Sequence, residues 1–263
     1  MKAKALNKTL KNIFLTGLLA GIAGHSSAKI ILNDDFSDGT RFSTPSGADW
    51  YVFAGTGLDV SSEVLTLKDA TGTKGVRGAE VHFMPQTLEV KGAITVRFSI
   101  RQDTIIESAT AVRIGLLNSK GTALPRDTSG GILSDTYQTR TGYFCMLDTR
   151  TAGTGTVSVR YDDSSQNLFS IAEGNNVDVF SNLHKFNNRE WTSVVWSIER
   201  VRETEYVLSM SVNDGRPKTM MHRIDEGGTF DTFMIFSRDG AEFSIDNVEI
   251  EFAGAYFQLY GLK

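Results

Sequence analysis

Three histidines, His82, His184 and His222, lie beyond the first 28 residues, and one has a chemical partner close by. In RGAEVHF an extended chain puts Glu80 and His82 on one face, opposite Val81 and Phe83. A carboxylate beside an imidazole is the kind of pair that moves protons. Arginine supplies a second chemistry. Arg97, Arg101, Arg113 and Arg160 occupy the outward positions of TVRFSIR, AVRIGLL and TVSVRY. If those stretches were neighbours in one sheet, the guanidiniums would form a cationic stripe. Such a stripe suits carboxylated or sulfated glycans, which arginine grips through two parallel hydrogen bonds. Trp50, Tyr51, Tyr137, Tyr143 and Tyr161 are the aromatic candidates to sit beneath a sugar ring. The expected carbohydrate-binding set is therefore Arg97, Arg113, Tyr143, Arg160 and His82.

Other chemistries find no local support. The chain has no H-E-x-x-H, no paired-cysteine spacing and no Gly-x-Ser-x-Gly elbow. Its glycines fall in turns between strands, with no helix behind them to cradle a phosphate. Glu249 and Glu251 are the nearest approach to two carboxylates on one strand face, which glycoside hydrolysis uses. Alternation makes them outward, solvated residues of the last strand.

The elements that must position these residues are strands. Val96, Phe98 and Ile100 alternate with Arg97, Ser99 and Arg101, and TSVVWSI and YVLSMSV repeat the two-residue period. By this alternation Trp196 reads as core, and Trp191 is assigned there too. Turn signals separate the runs, among them Asn213-Asp214-Gly215, the type of sequence that tight hairpins favour, with Lys218 to Ile224 as the return strand. Twenty-five glycines and four prolines fit many short connections. A dozen or more strands without helical periodicity imply an all-β, two-sheet antiparallel sandwich or jelly roll.

The first 28 residues stand apart. Lys2, Lys4, Lys8 and Lys11 precede an uncharged apolar run from Ile13 to Gly24, and Ser26 and Ala28 supply small residues for cleavage. This is the pattern of an export signal peptide, and the run is short of the about 20 residues that a spanning helix needs. Residues 29–263 then form one domain, secreted or periplasmic, without a transmembrane segment. The four lysines leave 23 basic against 31 acidic residues in that part. An acidic domain lacks the basic footprint that nucleic acid demands. Cys145, alone in the chain, lies in GYFCML, apolar on both faces, and reads as a buried thiol.

The two ends carry a resemblance. KIILNDDFSDGT, an apolar strand running into Asp34, Asp35 and Asp38, is followed by Trp50 and Tyr51. At the other end FSIDNVEIEF alternates, slips phase at Asp246-Asn247, and resumes. With EWTSVVWSIERVRETEYVLSMSVNDG between them, these segments resemble the concanavalin A-like and laminin-G-like jelly rolls, and jelly-roll carbohydrate-binding modules. The resemblance implies that the first and last strands lie side by side. It also implies a structural calcium ion between the acidic turn and the terminal strand, with Asp35 and Asp246 as ligands. Calcium takes six to eight hard oxygens, and a bulge at Asp246-Asn247 would turn a carboxylate aside toward it.

Sandwich-fold polysaccharide lyases are a second comparison. AGAYFQLYG is similar to the Tyr-rich closing motif of alginate lyases, but the Gln-x-His pair is replaced by Glu80-x-His82 and the closing lysine is missing. The expected function is an exported, non-catalytic, polysaccharide- or cell-surface-glycan-binding sandwich. The alternatives are a polysaccharide lyase or glycoside hydrolase, or an extracellular protein-binding domain.

Overall fold

Alternating stretches become strands. The computed structural model describes residues 28–42, 48–54, 57–68, 77–104, 112–122, 127, 139–148, 155–163, 175–183, 186, 189–225, 228–237 and 242–254. In chain order the strands are β1 (Lys29–Asp34), β2 (Trp50–Ala54), β3 (Leu58–Val60), β4 (Leu65–Leu67), β5 (Arg77–Thr87), β6 (Ala93–Gln102), β7 (Val112–Asn118) and β8 (Thr141–Leu147). There follow β9 (Val157–Asp162), β10 (Asn175–Phe180), β11 (Thr192–Arg202), β12 (Glu205–Val212), β13 (Lys218–Arg223), β14 (Thr229–Ser237) and β15 (Phe243–Ala253). Among the described residues there is no helix.

Two antiparallel sheets stack. One runs β13-β12-β11-β6-β15-β4-β3, with β1 as an eighth strand against β15; the other runs β10-β9-β8-β7-β14-β5-β2. Trp196, Phe98, Ile245 and Ile250 of the first sheet and Trp50, Val81, Ile114 and Phe233 of the second belong to one buried cluster. Ring contacts cross the layer, Phe98 to Phe233 at 5.6 Å between centroids. Asn213 and Asp214, both at positive φ, make the tight β12–β13 turn, and Gly215 N donates to the Val212 carbonyl at 3.0 Å. This is the backbone shape that only a few residue types adopt readily.

The sheets differ on their outward sides. In the eight-stranded sheet β6 and β11 alternate buried and partly exposed residues, as a half-solvated sheet should. In the seven-stranded sheet β7, β8 and β14 are buried on both faces. Leu117, Phe144, Met146, Met234 and Phe236 point away from the main core yet are buried. Period-two patterning reports which side faces the partner sheet and leaves open whether the other side is covered.

The termini of the described fold meet. Lys29 pairs with Phe252 and Asp34 with Val248. β15 has β6 along one edge, while its other edge is shared: Phe243–Ile245 pair with β4, and Val248–Phe252 with β1. The phase slip falls at the change of partner, where Asn247 takes φ 54 and the register against β6 shifts between Asp246 and Glu249. The bulge keeps Ile245 and Val248 both buried.

Candidate functional site

A polar network is built on the outward side of the seven-stranded sheet. Antiparallel register sets Tyr51, Glu80, Met234, Gly115, Phe144 and Arg160 in one cross-strand row. His82 and Thr232 are opposite one another in the next. Glu80 has no exposed surface and is bonded to the equally buried Arg140, Nη1 to Oε2 at 2.6 Å. His82 Nε2 lies 3.1 Å from Glu80 Oε1, and its Nδ1 lies 3.0 Å from the Thr232 hydroxyl. Thr232 in turn donates to Asp231 at 2.8 Å, whose carboxylate also accepts from the Ser119 amide and hydroxyl. Burial alone would raise the Glu80 carboxyl; the His82 hydrogen bond and the Arg140 charge outweigh it and hold the group below the usual range.

Aromatic rings extend this network toward the β2 edge. Phe42 and Tyr51 are 6.0 Å apart between centroids, and Tyr51 and His82 are 6.4 Å apart. Phe42 is 43% exposed. The Arg41 guanidinium lies 4.5 Å from the Phe42 ring centroid and forms a two-pronged bond to Asp127 at 2.7 and 2.5 Å. Asp127 also accepts from the Val52 amide, which ties that pair to β2. The charges of Arg41 and Asp127 cancel, as do those of Arg140 and Glu80, and Asp49, which accepts from the Tyr51 hydroxyl at 3.4 Å, adds one acid. Both Glu80 oxygens and both His82 nitrogens face protein partners, so the pair serves as a scaffold for the row.

The structure divides the expected binding set. Arg97 is on β6 of the eight-stranded sheet, while Arg113 and Arg160 are on β7 and β9 of the other, so no single stripe forms. Arg97 bonds Glu249 at 3.2 Å and Glu251 at 2.7 Å. Arg113 is buried with its guanidinium 5.6 Å from the Phe236 ring, because the face on which it points outward is covered. Tyr143 points into the core, bonded to His222 Nδ1 at 3.1 Å. Arg160 is partly exposed, four strands from Glu80 along the row. Of the set, His82 alone belongs to the aromatic row.

Other assignments also change. Trp50 is core and donates from Nε1 to Asp34 at 3.0 Å, and Tyr161 is buried beside Tyr143. Trp191, assigned to the core, is 40% exposed; it immediately precedes β11 in the outward phase of the alternation that buries Thr192, Val194, Trp196 and Ile198. Arg140 carried no signal in its own segment, since its partner lies 60 positions away. Tyr137, His184, residues 1–27 and the tail from 255 lie outside the described residues.

The acidic turn has its own hydrogen-bond logic. Asp34, Asp35 and Asp38 each accept from the amide two residues on, at Phe36, Ser37 and Thr40. This is the local cap that aspartate favours in turns. Asp34 is buried, and desolvation raises its carboxyl above the ordinary value. Asp35 is exposed immediately beyond β1, and Asp246, partly exposed, accepts from the Asn247 amide at 2.7 Å. Among the described residues no group of three or more His, Cys, Asp or Glu side chains gathers to hold a metal.

No family model and no curated protein matches the chain. Solved structures share the fold, a concanavalin A-like jelly roll. The potassium-bound carbohydrate recognition domain of Emp46p superposes with a TM-score of 0.51 at 10% identity, covering 76% of this chain and 87% of that one. The VIP36 exoplasmic/lumenal domain, bound to Ca2+ and Man3GlcNAc, gives 0.52 at 13% identity over 85% and 88%. Lectin UEA-II complexed with galactose gives 0.52 at 10% identity over 88% and 100%.

Proposed function

We propose that this chain is an exported, non-catalytic β-sandwich that binds carbohydrate on the outward side of its seven-stranded sheet. The row Phe42, Tyr51, His82, stiffened by the Glu80–Arg140 ion pair, carries the reading. Successive rings offer stacking faces, and the compensated charges around them favour a neutral glycan over the anionic ones that an arginine stripe would have selected. The lectin and carbohydrate-recognition neighbours support the class of ligand. The export signal fits the fold, since β1 begins at Lys29, directly after the expected cleavage point, and would lose nothing.

The test is a glycan array followed by calorimetry. The wild type should retain neutral oligosaccharides, and Tyr51→Ala should weaken binding by about tenfold, as loss of one stacked ring implies. An array on which the wild type retains no glycan removes the proposal. A structural calcium ion belongs to the same reading: Asp35 and Asp246 would hold it, with backbone and water oxygens completing the six to eight that calcium takes. Calcium should then raise the melting temperature of the wild type and leave that of Asp246→Asn unchanged, since an ion that binds only the folded state stabilises it.

A further inference from the structure

The opposite face of the sandwich carries an aromatic group that the β2-edge row does not use. Arg189 adopts φ 62 and donates its amide to the Gln102 carbonyl at 3.1 Å, which delivers Trp191 beside the end of β6. There the Arg101 guanidinium lies 4.8 Å from the Trp191 ring centroid. Arg101 is itself held, Nε to Asp103 at 2.7 Å and Nη2 to the Ser244 hydroxyl at 3.3 Å, and Ser244 donates to Asp103 at 2.6 Å. An exposed tryptophan braced by a guanidinium that is braced in turn is a pre-organised ring, with little conformational freedom to lose on binding.

Beside it the outward face is hydroxyl-rich. Cross-strand register places Ser193 opposite Ser99 and Ser99 opposite Asp246, and it places Ser197 opposite Ser209. On β6, β15 and the residue after β6, Arg97 and Arg101 face four carboxylates, Asp103, Asp246, Glu249 and Glu251. That excess of negative charge disfavours uronates and sulfated chains. A protein partner would need an apolar centre depleted of charge. Among the described residues of this sheet the other exposed large apolar side chains, Ile30 and Met221, stand apart on β1 and β13, and Trp191 itself is set against the charged Arg101–Asp103 pair. A neutral glycan needs one ring to stack on and hydroxyl, guanidinium and carboxylate partners around it, and all of these are present.

We propose that Trp191 and the Arg101 guanidinium, the latter held from beneath by Asp103 and the buried Ser244, form a second glycan-binding platform on the eight-stranded sheet, specific for neutral chains, so that one molecule bridges two polysaccharide strands from opposite faces. This rests on the carbohydrate-binding reading above and adds a second, independent site to it.

The three tryptophans make the test direct, because Trp50 and Trp196 are fully buried and Trp191 is the exposed emitter. The exported chain is titrated with cellohexaose, xylohexaose, mannohexaose and sodium alginate, following tryptophan emission and calorimetric stoichiometry. A neutral hexasaccharide should quench or blue-shift emission in a saturable way with two sites per chain. Trp191→Ala should abolish the emission change and leave one site, Trp191→Phe should restore binding to within about threefold because a ring is kept, and Tyr51→Ala should leave the emission change intact. Unaltered emission with binding that survives Trp191→Ala overturns the second platform alone. Tighter binding of alginate than of every neutral hexasaccharide overturns the ligand class. Absence of binding in wild type and all variants removes the carbohydrate-binding reading together with this one.

Discussion

At the scale of single residues, Glu80 and Arg140 are the group on which the site depends most. Two opposite charges without exposed surface lie 2.6 Å apart, and Glu80 also bonds His82, whose ring packs against Tyr51. Removing either partner leaves the other charged in a low-dielectric setting, so Glu80→Ala or Arg140→Ala should each cost about 3–5 kcal/mol. The double replacement Glu80→Met with Arg140→Met should cost less than the sum, because no lone charge remains. Urea unfolding of the single and double variants measures this; additive losses would show that the two residues act separately. The outward position of Glu80 was readable from the alternation of RGAEVHF. Its burial was not, because Arg140 comes from the segment before β8 and from no pattern of its own.

The element whose behaviour needed most explanation is β15. Its phase slip is a bulge, and its cause is a change of neighbour from β4 to β1 along one edge. One extra residue there keeps Ile245 and Val248 on the core side while Asp246 and Glu249 face outward. Asn247 bears the cost in the left-handed region at φ 54, which asparagine tolerates better than most side chains. Asn247→Val should therefore lower stability by about 1–2 kcal/mol, and Asn247→Gly should be nearly neutral, both read from the urea midpoint. Equal effects for the two substitutions would mean that backbone strain is not the issue. The slip itself was legible in FSIDNVEIEF. The strands on either side of it, separated from it by most of the chain, were not.

For the whole molecule, the join between the sheets has a pH-sensitive contact. His222, on the edge strand β13, reaches across to the Tyr143 hydroxyl of β8, with Tyr161 and Tyr206 packed around that phenol. Burial holds the imidazole below its ordinary value of 6.5, and burial, reinforced by the Tyr161 and Tyr206 phenols, pushes the Tyr143 hydroxyl well above its usual range. As pH falls through about 6.5 the unfolded chain takes up the proton before the folded one, so stability is intact above that pH and declines below it toward the folded pKa. His222→Gln should flatten this part of the profile. Melting temperatures between about pH 8 and pH 5 test it, and an NMR titration placing the His222 pKa above 6.5 would refute it.

The amino-acid sequence by itself determined the class of architecture, while the meeting of its ends was implied only by the resemblance to jelly rolls and is shown by the pairing of β1 with β15. Two-residue alternation specifies strands with one core face, and Asn-Asp-Gly specifies a hairpin. These signals are local, so they survive without coordinates. Tertiary structure decided which outward residues share a surface. Sheet order sent Arg97 to one sheet and Arg113 and Arg160 to the other, covered Arg113, turned Tyr143 into the core, and brought Phe42, Tyr51 and His82 into a row. Strand order and the covering of a sheet's outer face depend on contacts between residues far apart in the chain, and period two is the same for a solvated face and a covered one.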